Sequence, residues 1–254
     1  MKIERIEPLI FAFIITVLLF LLNNYYSVTG LFFQRKYEII RIIDGDTIEL
    51  SNGEKVRLIG INAPEKGKRY FDEAKNYLEM LVGEKISLEY ENGIRDPYGR
   101  LLAYVFWNKR NINVEIVKNG LAHTYKINEV SKYKNELLDA ENYAIERGIG
   151  IWKRSNYSSC IKVNFYYIDN EKLIIKNICN FSINLNKWYI EDENHNVLYI
   201  KNFNITPNKE VIICIRSFDD CDYILESKYN IFDKKSDKIF LRDENGLLVF
   251  YYKY

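Results

Sequence analysis

From Tyr37 to Asn62 the chain advances in short β-branched segments separated by turn residues, a pattern that only paired strands accommodate. YEIIRII, DGDTIEL and VRLIGI are too short and too regularly interrupted for helices. Asn52-Gly53, flanked by two of these runs, is a strong hairpin signal, because both residues tolerate the positive φ of a tight turn. A helical period follows over Tyr70–Leu81, placing Phe71, Ala74, Tyr77, Leu78 and Leu81 on one face. Strand character returns at Ile86–Tyr90 and Leu101–Phe106. Helices are predicted over Ile112–Asn119 and Lys132–Arg147, ending near Gly120 and Gly148. Five strands with helices packed at the side predict a small closed barrel of the OB type over residues 37–154.

Within this framework stand Asp44, Asp46 and Glu65, the amide of Asn62, and two arginines, Arg57 and Arg100. Asp44-Gly45-Asp46-Thr47 taken alone reads as an Asx turn. Its surroundings argue for more. Arg57 interrupts an apolar strand, where a charge is costly unless it points into a site. Asn62-Ala63-Pro64-Glu65 places a carboxylate just beyond the strand end, and Asp96-Pro97-Tyr98-Gly99-Arg100 brings a second guanidinium to the start of another strand. A hard cation takes oxygen ligands, a water needs a carboxylate base, and a phosphate gathering charge needs rigid donors, so the set fits metal-assisted attack on a phosphodiester.

Composition narrows the chemistry. The net charge is +1, and residues 37–154 carry equal numbers of acidic and basic side chains, so a polyanion would have to be held by a local patch. His123 and His195 are the only histidines and lack ligand spacing, which argues against a zinc centre or a serine–histidine triad. His123 reads as a packing or surface residue. Lys66, Lys68 and Arg69 read as a solvated charge run on a mobile loop, or as a rim that attracts polyanion.

Asp44–Thr47, Arg57–Glu65, Asp96–Ala103 and Gly120–Ala122, in that order, resemble the motifs of the thermonuclease, or staphylococcal-nuclease-like, family. The resemblance covers residues 37–154 and implies an OB barrel with Ca²⁺-dependent hydrolysis of DNA and RNA. By position it implies metal ligation by the Asp46 carboxylate and the Ala63 carbonyl, with Glu65 activating water. It assigns phosphate binding to Arg57 and Arg100, and lining of the nucleotide pocket to Tyr98 and Tyr125. Two departures stand out. Asn62 occupies the place of a second aspartate ligand, and an uncharged amide predicts weaker metal binding. Pro97, inside the turn motif, is expected to be harmless. The alternative function is a catalytically weak or inactive nucleic-acid-binding envelope protein.

Beyond a polar seam at Ser155–Ser159, seven strand-like runs with turns between them predict an all-β sandwich over residues 160–254. Leu185–Asp192 with Trp188, Phe203–Val211, and Ile239–Gly246 resemble the lamin-tail domain, except that Asn208 stands where that family commonly has glycine. That resemblance implies an immunoglobulin-like sandwich without catalytic residues that serves localisation or binding, as a possible envelope component. Cys214 and Cys221 bracket a short span that suits a hairpin-end disulfide, which would leave Cys160 with Cys179. Four cysteines allow three connectivities, and four buried thiols is the competing reading.

At the other end, residues 8–22 are fifteen nearly unbroken apolar positions, about 22 Å of helix against a ~30 Å hydrocarbon core. Continuing through Phe33 makes up the length. Residues 1–36 are therefore expected to form one transmembrane helix, a single-pass anchor with the body extracytoplasmic. A cleaved signal, giving a secreted protein, is the alternative, although no small-residue cleavage site is evident. The expected partners are DNA, RNA and the membrane, and the expected state is a monomer.

Overall fold

A computed structural model describes residues 13–18, 36–128, 130–166, 172–216, 220–228 and 230–254, with backbone alone for 92–94 and 165–166. Residues 1–36 and 37–254 are separate units, the second compact throughout. Most of the expected membrane segment lies outside the described residues. Residues 13–18 are helical, and no helix among the described residues is long and apolar enough to cross a membrane.

The β-branched runs form β1 (Lys36–Asp44), β2 (Thr47–Leu50) and β3 (Lys55–Leu58), an antiparallel meander whose second turn is the Asn52-Gly53 hairpin with Gly53 at φ 82°. After β4 (Ile61–Asn62) and helix α1 (Phe71–Glu79) come β5 (Lys85–Arg95), β6 (Leu101–Trp107) and β7 (Arg110–Asn111). β5 pairs with both β1 and β6, and a parallel pairing of β3 with β6, Arg57 opposite Leu102, closes five strands into a barrel consistent with the OB type. β5 runs past the expected end at Tyr90 to Arg95. Ile39, Ile42, Ile48, Leu50, Val56 and Leu58 fill the interior, and α1 covers it with Ala74 and Leu78. α2 (Ile112–Lys118), capped by the Asn111 side chain, and α3 (Lys134–Arg147), ended by Gly148 at φ 61°, pack at the side. Two-residue β8 (His123–Thr124) pairs with β4.

The seam at Ser155–Ser159 is stitched rather than loose: Ser155 N–H donates to Leu248 O at 2.9 Å and Leu248 N–H to Lys153 O at 2.9 Å. Ten strands follow among the described residues, against seven expected. β9 (Ile161–Tyr166), β10 (Lys172–Asn177), β15 (Glu210–Ile215) and β16 (Tyr223–Leu225) form one sheet. β12 (Tyr189–Glu191), β13 (Val197–Tyr199), β17 (Lys238–Arg242) and β18 (Leu248–Lys253) form a second, and β11 (Ile183–Asn184) pairs with β14 (Asn204–Ile205). The three extra elements are β11, β14 and β16, each of two or three residues. Leu173, Ile175, Ile213 and Ile215 from the first sheet share a core with Ile190, Ile239 and Leu241 from the second and with Trp188, which precedes β12. Disulfides join Cys160 to Cys179 and Cys214 to Cys221.

Every residue of β17 is buried. Ile239 and Leu241 face the second core, while Phe240 packs with Trp152, Ile151 and Ala144 against the barrel's helical side. The outer face of this sheet is therefore covered by residues 37–154.

Candidate active site

Three chain segments deliver the site. β1 ends at Asp44, and its carboxylate accepts the Asp46 N–H at 3.0 Å, closing the Asx turn that aims Asp46 inward. Gly45 is required here, since a Cβ would stand 2.6 Å from Ala74 Cβ and 2.7 Å from Ala63 Cβ. Asp46 is 6% exposed; its Oδ1 lies 3.0 Å from Arg57 Nε and 3.0 Å from the donating Thr47 hydroxyl, and its Oδ2 accepts the Ala63 N–H at 2.9 Å. Burial pushes this carboxyl up to about 6; Arg57 pulls it down and Asp44 pushes it further up.

β3 presents Arg57, whose Nη1 donates to Leu58 O at 2.5 Å and Ile61 O at 2.8 Å and whose Nη2 donates to Asn62 Oδ1 at 2.9 Å. With Asp46 on Nε, a fully charged fork is held rigidly at a strand end. The chain then turns at Gly60, φ 76°, so that β4 lies against β8 and Tyr125 N–H donates to Gly60 O at 2.9 Å. That pairing brings Asn62 and Tyr125 to the same rim. Glu65 follows Pro64, is exposed, and its carboxylate has no hydrogen-bond partner among the described residues.

The third segment is the turn before β6. Asp96 Oδ1 accepts the Tyr98 and Arg100 N–H groups, both at 2.9 Å, and Oδ2 accepts Arg100 Nε at 2.6 Å. Burial alone would raise Asp96, but these bonds hold it below the usual carboxylate range. Arg100 Nη1 also donates to Thr47 Oγ1 at 3.3 Å, and Tyr98, 85% exposed, lies beside the guanidinium, 5.5 Å from ring centre to Cζ.

Asp44, Asp46, Arg57, Asn62, Glu65, Tyr98, Arg100 and Tyr125 all line one open cavity of about 680 Å³. Ala63 lies buried beneath it and meets Asp46 through its N–H. Asp96, which fixes Arg100, is not among the candidates that the sequence pattern singles out; its signal is the acid–arginine spacing of four across a tight turn. Asn194, from the tip between β12 and β13, also lines the cavity, and no local motif announces it. His123 is 2% exposed and neutral: burial chiefly, then Lys238 and His195, hold its pKa well below the ordinary value, and it packs on Phe240. Lys68 and Arg69 are docked instead of mobile. Lys68 Nζ donates to Tyr199 OH at 3.0 Å and Arg69 Nη1 to Asn245 O at 3.2 Å, because the second set of sheets lies against this loop.

The donor set is of the kind a hard cation takes: carboxylates of Asp44, Asp46 and Glu65 line one cavity, and a cation there would favour the Asp46 carboxylate against the burial that Arg57 only partly counters. No group of three or more His, Cys, Asp or Glu among the described residues stands close enough to chelate an ion unaided.

A family profile described as "Staphylococcal nuclease homologue" matches residues 55–154. An uncharacterized endonuclease of Haemophilus influenzae is 39% identical over 124 residues, 46% of this chain and 66% of that protein. The thermonuclease of Staphylococcus intermedius is 35% identical over 128 residues, 46% of this chain and 76% of that protein. Endonuclease YncB of Bacillus subtilis is 34% identical over 140 residues, 48% of this chain and 66% of that protein. With the barrel, the shared cavity and these relatives together, the chain belongs to the staphylococcal nuclease homologue family and is a nuclease, an enzyme that hydrolyses phosphodiester bonds.

Proposed function

We propose that this nuclease is Ca²⁺-dependent, acts on both DNA and RNA, and works outside the cytoplasm. The observation that supports it most is the convergence of Asp46, Glu65, Arg57 and Arg100 on one open cavity. Asp46 would hold the ion, with Asn62 and the Ala63 backbone at the neighbouring ligand positions. A cation held there would act as a Lewis acid toward the phosphate and offset the charge that gathers on its oxygens. Glu65, exposed and without a hydrogen-bond partner among the described residues, accepts the proton of the attacking water, since no histidine lines the cavity and arginine stays charged. Arg57 and Arg100 hold the scissile phosphate; the bonds to Asp46, Asn62 and Asp96 fix both forks before substrate arrives, so little reorganisation is needed during reaction. Tyr98 and Tyr125 line the nucleotide side.

Two disulfides support an oxidising compartment, reached through an anchor or signal in residues 1–36. The lamin-tail-like, immunoglobulin-like reading of residues 160–254 supports attachment to an envelope component. One observation favours the weaker-enzyme alternative: Asn62 already accepts from Arg57 and donates to Glu193 O at 3.0 Å, leaving it poorly placed to ligate. The test is incubation of the purified protein with single- and double-stranded DNA and with RNA, in Ca²⁺ or in chelator. Cleavage in Ca²⁺ alone is expected. DNA binding without cleavage would favour the alternative.

A further inference from the structure

β12 and β13 pair with Glu191 opposite Val197, so residues 192–196 form the tip of a hairpin belonging to the C-terminal sheets. That tip reaches the nuclease cavity. Asn194 lines it together with Asp46, Arg57 and Arg100, and its Oδ1 accepts the Tyr125 hydroxyl at 2.6 Å.

The tip is built, not incidental. Asp192 is fully buried and gathers it up: its Oδ1 accepts the Asn194 N–H at 2.9 Å and the Asn196 N–H at 2.7 Å, and its Oδ2 accepts Asn196 Nδ2 at 2.6 Å. Glu193 N–H donates to Asp237 at 3.1 Å, and Glu193 O accepts the Asn62 amide, itself bonded to Arg57. An aspartate at position 62 would have no hydrogen to give Glu193 O, so the amide suits this contact. The tip is thus fastened from both sides, and Asn194 is held in place while its side chain stays exposed.

The remaining group is the Asn194 amide donor. Its nearest acceptor is Asp192 Oδ2 at 3.5 Å, beyond a good hydrogen bond. An exposed, oriented N–H₂ on the wall of a cavity that holds phosphate-binding arginines suits an oxygen acceptor, which nucleotides carry on both base and phosphate. We propose that Asn194 is a substrate-binding residue of the nuclease cavity, donating to an oxygen of the nucleotide attached to the scissile phosphate. This rests on the phosphodiester reading of the site. The C-terminal sheets then complete the enzyme as well as accompanying it.

The experiment uses the full chain and a short fluorescein-labelled oligodeoxythymidylate. Steady-state cleavage in Ca²⁺ and anisotropy binding in chelator are compared for wild type and Asn194→Ala, with thermal unfolding recorded alongside. The expected result is KM and Kd raised about three- to ten-fold, the scale of one lost hydrogen bond, with kcat within about two-fold. Tyr125→Phe, which removes the tie but keeps the donor, raises both by less. KM and Kd for Asn194→Ala within about two-fold of wild type would overturn the proposal and leave the tip a structural tie. If wild type binds the oligonucleotide without cutting it, the hydrolase reading fails, while the Kd comparison still decides this one.

Discussion

Lys238 Nζ stands 2.7 Å from the Glu141 carboxylate and 2.6 Å from both the carbonyl and the hydroxyl oxygen of Thr124, joining β17 to α3 and β8 with both charged side chains 3% exposed. Burial pulls the Lys238 pKa down, and Glu141 is what resists that. Removing one partner leaves a buried charge uncompensated. Lys238→Met is therefore expected to lower unfolding free energy in urea by about 3 kcal/mol, and Lys238→Met/Glu141→Leu to recover part of the loss. A loss below about 1 kcal/mol would mean that water reaches the pair.

A second polar cluster sets an acid limit. Burial pushes Glu191 up, but His195 and Arg242 outweigh it and hold it below the usual range. A depressed carboxyl stabilises the fold above its unfolded pKa, and that contribution is lost as pH falls through the folded value. The two histidines oppose one another. His195, despite burial, is raised by Glu191, so it stabilises below about 6.5 and loses this as pH rises; His123, held low, costs stability as pH falls below about 6.5. The two windows adjoin, so their joint contribution to wild-type stability is expected to be greatest near 6.5 and to fall on either side. His195→Gln removes the loss on the alkaline side, so denaturation midpoints should hold level as pH rises above about 6.5 while still declining below it.

Asp46 predicts how cation binding depends on pH. With its carboxyl pushed up to about 6, mainly by burial, an ion must compete with a proton below that value. Adding CaCl₂ is expected to raise the melting temperature at pH 8 and to do so progressively less as pH falls through 6. Asp46→Asn should abolish the shift. An equal shift in the variant would place the ion elsewhere.

Gly45→Ala tests the close approach beneath the site. A methyl group would meet Ala74 and Ala63 well inside van der Waals contact, and both belong to the core. Displacement of the Asp44–Thr47 turn from α1 is expected to cost about 1–3 kcal/mol and to lower cleavage, with both effects in one variant.

Much of the barrel was legible because its strands are short, β-branched and punctuated, and because the site residues sit at strand ends that the turn chemistry already marks. Asp44–Thr47, Arg57–Glu65 and Asp96–Arg100 needed only barrel closure to meet. The contact between barrel and C-terminal sheets was not legible. Lys238, Phe240 and Arg242 alternate with Ile239 and Leu241, and period two separates the faces of a strand without saying which one meets water. Here both are covered, Arg242 reaching Glu191 at 3.1 Å and Ile151 O at 2.8 Å. Lys68 likewise reads as a solvated charge in sequence, although its ammonium lies over the rings of Tyr189 and Tyr199. β11, β14 and β16 are too short to carry a period.

The central claim is that Glu65 and Arg100 act on one phosphodiester beside a cation, and single-turnover cleavage of labelled single-stranded DNA tests it most directly. In saturating Ca²⁺, Glu65→Gln and Arg100→Ala are each expected to slow the chemical step by about two orders of magnitude or more. Chelator should abolish cleavage by wild type, and the melting temperatures of both variants should stay close to that of wild type. Rates for either variant within a few-fold of wild type, or undiminished cleavage in chelator, would contradict the account.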